Sequence, residues 1–205
     1  MKKNEKLAIL IPTRDEAANI LALLSRIQAT LDAAEIRYEI IVVDDESRDG
    51  TAERVSAAAK ADGRIRLLVR GGERGLAGAI LHGRQHTDAE ILGVIDADLQ
   101  HPPELLPALF NAIVEGRDLA VGSRYIEGGE LDGLTPARRL VSSIAAWASL
   151  PLQQRVLRVR DPLSGFFLVR RRCLDWVEFH KSGFKLLLEI LVRGRICSVQ
   201  EIPFT

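Results

Sequence analysis

The chain has 205 residues, 47% hydrophobic and 27% charged, with 28 basic and 28 acidic side chains. That length buries the core of one domain spanning residues 1–205, and the balance excludes disorder, collagen-like repeats and a nucleic-acid binder. Two cysteines, Cys173 and Cys197, form neither a disulfide framework nor a metal cluster, which points to a reducing compartment.

Leu7 to Ile11 is a short apolar run ending at Pro12, the pattern of a buried parallel strand. With its charged flanks it is too short for a signal peptide. Thr13-Arg-Asp-Glu16 reads as a capping box with Thr13 as the N-cap. The helix it opens carries Ile20, Leu24, Ile27 and Leu31 on one face. Tyr38 to Val43 is a second strand, stopped by the acidic turn Asp44 to Gly50. Thr51 to Ala61 reads as a helix, Ile65 to Val69 as a strand, Gly75 to Gln85 as a helix and Ile91 to Ile95 as a fourth strand. Pro102 and Pro103 suit a helix start, and that helix should run to about Glu115. Leu119 to Val121 is the fifth strand. This alternation predicts an α/β fold: a mostly parallel sheet with helices on both faces. Beyond it the pattern breaks, with glycines at 128, 129 and 133, an amphipathic helical stretch over 137–158, a strand from Phe166 to Val169, a helix from about Phe184 to Val192 and a last strand from Ile196 to Phe204. No run of about 18 apolar residues is present to span a bilayer.

Ligands of open α/β sheets bind beyond the carboxyl ends of the strands. Thr13 to Glu16, Asp44 with Asp45, Asp96 to Gln100, and Ser123 with Arg124 all fall there. Asp96-Ala-Asp98 is the sharpest element. Residues i and i+2 leaving a strand share a face, and two carboxylates at one point need a cation between them. A hard ion with oxygen ligands, Mg²⁺ or Mn²⁺, fits and would bridge to phosphates, with Gln100 adding a neutral oxygen. No Gly-x-Gly-x-x-Gly follows the first strand, and Gly71 to Gly78 lacks the lysine of a P-loop. That stretch reads instead as a helix start where backbone can approach a ligand. His82, His86, His101 and His180 read as surface or helix residues. Trp147 and Trp176 read as core, with Trp147 equally placed to be an interfacial anchor.

The zero net charge hides an asymmetry. Residues 1–135 hold 16 basic against 23 acidic side chains, whereas residues 136–172 hold eight arginines against Asp161 alone. An acidic half able to hold a cation is followed by a basic belt able to meet phosphates or an anionic membrane. Within the belt, Leu140, Val141, Ile144, Ala145, Ala148 and Leu152 make a helical stripe flanked by Arg138, Arg139, Arg155 and Arg158. The stripe suits a helix lying in a membrane interface, or one packed on the sheet.

These motifs, in this order, resemble family-2 glycosyltransferases of the GT-A (Rossmann-like) fold, and within them the polyprenol (dolichol) phosphate mannose synthases. The resemblance rests on Ile11-Pro-Thr-Arg-Asp-Glu16, on Val42 to Thr51, and on Asp96-Ala-Asp-Leu-Gln-His-Pro-Pro-Glu104. It continues through Gly122-Ser-Arg-Tyr125, Asp161-Pro-Leu-Ser-Gly-Phe-Phe167 and Gly183-Phe-Lys185 with Glu189, and so runs along nearly the whole chain.

It implies transfer of a sugar, expected to be mannose from GDP-mannose, to a polyprenyl or dolichyl phosphate at the cytoplasmic face of a membrane. UDP-glucose or UDP-N-acetylglucosamine as donor, or a non-catalytic glycosyltransferase-like module, are the alternatives. A processive polysaccharide synthase would need a Gln-x-x-Arg-Trp motif that the chain lacks. By the same resemblance Pro12, Arg14, Glu16, Val43 and Asp45 would frame the nucleoside, and Asp96, Asp98 and Gln100 would hold the metal and diphosphate. Arg124, Arg138, Ser142 and Lys185 would handle the phosphates of donor and acceptor. Arg14 and Asp15 stand where Tyr-Asn is common, and Ser143 where a second Arg often follows the Ser. Family members continue past the position of Thr205 into a loop with an Arg and a Ser-Lys pair, and often into membrane spans, so further chain is expected there.

Overall fold

The computed structural model describes residues 5–72, 75–124, 159–175, 177–179 and 186–204. Seven strands form one sheet: β1 (Leu7–Thr13), β2 (Tyr38–Asp44), β3 (Ile65–Val69), β4 (Ile91–Val94), β5 (Leu119–Ser123), β6 (Phe167–Arg170) and β7 (Val199–Pro203). Among the described residues five helices accompany them: α1 (Ile20–Ala33), α2 (Thr51–Ala61), α3 (Leu76–Gln85), α4 (Leu106–Val114) and α5 (Leu186–Arg193). The strand order is β3-β2-β1-β4-β6-β5-β7.

The strands β1 to β4 are mutually parallel, as their apolar runs and intervening helices require. β5 does not follow β4 in space. The antiparallel β6 lies between them, and β7 flanks β5 in parallel. No local pattern shows this insertion, because β6 has the same short apolar character as its neighbours.

Alternate residues of each strand feed opposite faces. Leu7, Ile9 and Ile11 pack with α1, Val55 of α2 and Leu109 and Ile113 of α4. Ala8 and Leu10 pack with α3 and α5 through Ile80, Leu187 and Ile190. Helices therefore cover both faces, and the sheet's carboxyl edge is left for ligands.

The capping box does not form. Thr13 is the last residue of β1, and α1 begins at Ile20 with Asn19 as its N-cap and no side-chain cap bond. The Thr13 hydroxyl instead donates to Asp44 across the sheet edge at 3.0 Å. Thr13 is still in the ladder, paired with Asp44, and the amides it would have capped, those of Asp15 and Glu16, are taken by Ser47 Oγ and Thr51 Oγ1. Pro102 precedes a short 3₁₀ turn (Pro103–Leu105), and α4 proper starts at Leu106. The segment 137–158 lies outside the described residues.

Candidate active site

The loops after β1 and β2 are latched together by short side chains. Asp44, fully buried, accepts from Thr13 Oγ1 and from both the backbone N–H (2.9 Å) and the hydroxyl of Ser47. Ser47 Oγ in turn accepts from the backbone N–H of Asp15 at 2.8 Å, and Asp15 accepts from that of Arg48 at 2.8 Å. Asp49 accepts from the backbone of Ala17 and Thr51, while Thr51 Oγ1 accepts from the backbone of Glu16. Asp15 and Glu46 sit in the left-handed region at φ 57° and 55°, conformations that these cross-loop bonds over-determine. Asp44 is therefore structural, and the acidic turn works mainly as a clasp holding Arg14 and Glu16 in place.

Asp45 is pinned more firmly still. Arg70 meets it in a two-pronged pair, Nε to Oδ1 at 2.8 Å and Nη2 to Oδ2 at 2.7 Å, and the backbone N–H of Gly75 adds 2.9 Å to Oδ2. Burial pushes the carboxyl's pKa upward, but the hydrogen bonds from Arg70 and Gly75 outweigh it and hold the group below the usual carboxylate range. Gly75 is also the N-cap of α3, so one carboxylate ties the ends of β2 and β3 to the start of that helix. Sequence reasoning missed Arg70. Its signal lay in the parallel register: Asp44 pairs with Val69, which sets the next residues, Asp45 and Arg70, side by side. Pro12 pairs with Val43 in the same way. Val43 is fully buried against α3, so its side chain faces the core and only its backbone can frame a nucleoside. Arg14 is exposed, and Pro12 and Glu16 are half-buried.

β4 ends at Val94, so strand alternation does not aim Asp96 and Asp98. A turn does, with Leu99 left-handed at φ 62°. Asp96 is half-buried; Asp98 is exposed, and its Oδ1 accepts from the backbone N–H of Gln100 at 3.1 Å. The Gln100 side chain is exposed, while its carbonyl accepts from Arg124 Nη2 at 2.7 Å. The Arg124 guanidinium also lies 5.1 Å from the ring centre of Phe204. Among the described residues no group of three or more acidic, histidine or cysteine side chains is placed to hold a metal ion. Asp96 nonetheless has one buried oxygen, Oδ1, with no hydrogen-bond partner among them. Arg138, Ser142 and Lys185 lie outside the described residues, as do Trp147, Trp176 and His180.

His101 is not a surface residue. It is buried against Phe166 and Phe204, with ring centres 5.4 and 5.6 Å away, and its Nε2 lies 3.4 Å from Asp96 Oδ2. Asp161 is buried nearby, and desolvation raises its pKa from the ordinary 3.8 to about 6, with Glu201 adding to the rise and Arg124 opposing it. A carboxyl with a raised folded-state pKa binds its proton more tightly when folded. Its contribution is thus fully present below about pH 4 and lost as pH rises through about 6. Asp161→Asn should therefore gain stability relative to the parent, on the order of 3 kcal/mol, between pH 4 and pH 7.5. Urea melts of both proteins at the two pH values measure this, and an unchanged difference would contradict the shift.

A cavity of about 130 Å³ opens beside Asp96, lined also by Leu76, Leu163, Ser164, Gly165 and Leu187. Clasped loops, a pinned Asp45, a half-buried carboxylate and an arginine thus share one sheet edge. Residues 8–177 match the family described as Glycosyl transferase family 2. The chain belongs to that family. The family-2 domain is 38% identical over 200 residues to a dolichol-phosphate mannosyltransferase of Pyrococcus furiosus, covering 98% of this chain and 56% of that protein. It is 35% identical over 208 residues to the Saccharomyces cerevisiae dolichol-phosphate mannosyltransferase, covering 97% of this chain and 76% of that one. Among solved structures, the family-2 domain superposes on glucosyl-3-phosphoglycerate synthase of Mycobacterium tuberculosis, solved with Mn²⁺, UDP-glucose and phosphoglyceric acid. The TM-score is 0.76 at 21% identity, over 98% of this chain and 71% of that one. At that identity the likeness carries the fold, which is of the GT-A type.

Proposed function

We propose that the chain is the catalytic domain of an inverting glycosyltransferase that moves mannose from GDP-mannose to a polyprenyl or dolichyl phosphate. The observation that carries this reading is the 38% identity to the Pyrococcus furiosus dolichol-phosphate mannosyltransferase along 98% of this chain. The chain spans little more than half of that relative's length, so donor, acceptor and membrane setting are inferences about this domain's own site.

The reaction asks little acid–base chemistry of the protein. A phosphate monoester is already anionic near neutral pH, so its oxygen can attack the anomeric carbon without a general base. The new C–O bond forms as the bond to the nucleoside diphosphate breaks, on opposite faces of the carbon, so an α-linked donor gives a β-linked product. The protein must align two anions and offset their repulsion. Arg124, held by the Gln100 carbonyl and Phe204, would meet a phosphate, and Arg138 and Ser142 would complete that task on the acceptor. Arg14, Glu16 and the Pro12 and Val43 backbone would frame the nucleoside on the clasped loops, with Asp45 setting their floor and Lys185 facing the donor phosphates.

Asp96, Asp98 and Gln100 would hold Mg²⁺ or Mn²⁺. The fit rests on Asp96 Oδ1, whose burial without a partner among the described residues is costly for a carboxylate and is relieved by a hard cation. Such an ion, when bound, supplies charge neutralisation on the leaving diphosphate.

The test is to incubate the protein with radiolabelled GDP-mannose, UDP-glucose or UDP-N-acetylglucosamine, a polyprenyl phosphate and Mg²⁺ or Mn²⁺, then count label in the organic phase. Label from GDP-mannose above the other two is expected. Preference for a UDP-sugar would overturn the donor, and no transfer from any donor would favour a non-catalytic module.

The arginine-flanked stripe over 137–158 supports a peripheral seat on an anionic, cytoplasmic membrane face, each basic residue contributing about 1 kcal/mol. No helix among the described residues is long and apolar enough to cross a membrane. Arg155→Glu with Arg158→Glu should weaken co-sedimentation with anionic liposomes at low salt without changing nucleotide affinity. Unaltered co-sedimentation would remove this seat.

A further inference from the structure

Two residues crowd the Asp96 carboxylate. On one side, His101 sets Nε2 3.4 Å from Oδ2. On the other, the backbone of Gly165 comes so close that a Cβ there would lie 1.9 Å from Oδ2. The second oxygen, Oδ1, is buried without a partner among the described residues. The carboxylate thus occupies space that only a glycine at 165 leaves open, since a Cβ there would also lie 2.8 Å from Oδ1, with His101 against Oδ2.

His101 is itself immobilised. Its ring packs between Phe166 and Phe204, which contact each other edge-on at 6.1 Å. Its Nδ1 is buried and unpartnered among the described residues. Nε2 faces the Asp96 carboxylate and is placed to donate to it, which leaves Nδ1 without a use in this contact. A phenylalanine would fill this apolar slot with no orphaned atom. A buried polar side chain with half of its capacity unused calls for a reason other than stability.

We propose that His101, together with Gly165, is a positioning residue that fixes the Asp96 rotamer in which Oδ1 faces a divalent cation. The inference rests on the metal reading of Asp96 given above. His101 acts through Asp96 and touches neither cation nor substrate, in the way that outer-shell partners orient metal ligands and tune affinity by about 10–100-fold. Gly165 is required for a steric reason: any Cβ drives the carboxylate out of this rotamer, although its backbone lies outside the left-handed region and would itself accept alanine.

The test reads metal affinity rather than turnover. Free Mn²⁺ is followed by EPR during titration of the parent and three variants, and GDP binding is measured without metal. His101→Phe keeps the aromatic packing and removes the donor. His101→Gln restores an N–H near Nε2, and Gly165→Ala displaces Asp96 from the opposite side. The Phe and Ala variants should bind Mn²⁺ at least tenfold more weakly than the parent, and the Gln variant should recover most of the loss. Metal-free GDP affinity should be unchanged throughout. A parent that binds Mn²⁺ beside a Phe variant that binds it equally well would overturn the role of His101 while leaving the metal reading intact. A Gln variant as weak as the Phe variant would also overturn it, because a restored N–H near Nε2 would then fail to recover metal binding. A parent that binds no Mn²⁺ would overturn both.

Discussion

Asp98→Asn is expected to remove nearly all glycosyl transfer while leaving the melting temperature almost unchanged. Asp98 is exposed, and the hydrogen bond its Oδ1 accepts from the Gln100 backbone can be accepted equally by an asparagine oxygen. The fold therefore loses little. What disappears is a negative charge at the carboxyl edge of the sheet, and that charge matters only if a cation and a diphosphate sit there. Organic-phase label from GDP-mannose measures the loss. Retention of more than about a tenth of parental transfer, a barrier change below about 1.4 kcal/mol, would remove Asp98 from the metal site.

Arg70→Met is expected to destabilise the domain by about 3 kcal/mol or more and to weaken nucleotide binding. The Arg70 and Asp45 side chains are only 13% and 8% exposed. Removing the guanidinium leaves a buried carboxylate with the Gly75 N–H as its one described donor. Breaking one side of a buried pair typically costs about 3–5 kcal/mol, because the remaining charge is stranded. The effect should be partly reversed in Arg70→Met with Asp45→Asn, where no charge is left unpaired. Denaturant melts of the parent, the single and the double variants form the cycle. A single-variant loss under about 1 kcal/mol would show that the pair is screened by water and does not organise the loops.

Both expectations concern residues at the same sheet edge, yet only one was readable from the chain. Asp98 stands out because two carboxylates two residues apart after an apolar strand are costly without a purpose. Arg70 carried no such mark, being one arginine among many in a charged stretch. Only the pairing of β2 with β3 gives it a partner 25 positions away. His101 was misjudged for a related reason. Its neighbours in sequence are Gln100 and Pro102, whereas its neighbours in space are Phe166 and Phe204. Those contacts depend on β6 and β7 lying on either side of β5. The capping-box expectation at Thr13 failed because the amides of Asp15 and Glu16, which it would have capped, are claimed by Ser47 and Thr51 of the next loop. Thr13 itself stays in β1, where its hydroxyl donates to the fully buried Asp44.

The sequence by itself determined the strands and helices from residue 7 to residue 123, their parallel association and the edge of the sheet where ligands belong. Each follows from periodicity and from the need to bury an apolar face on both sides of a sheet. The tertiary structure alone decided the antiparallel insertion of β6, the clasp between the loops after β1 and β2, and the close approach of His101 and Gly165 to Asp96. These depend on contacts between residues as much as 79 positions apart, as for Ile91 and Arg170. Hydrophobic patterning sorts side chains by face, but it carries no record of which polar groups meet once the faces are buried. That outcome is set by strand order and register, and by the cost of leaving any one carboxylate without a donor.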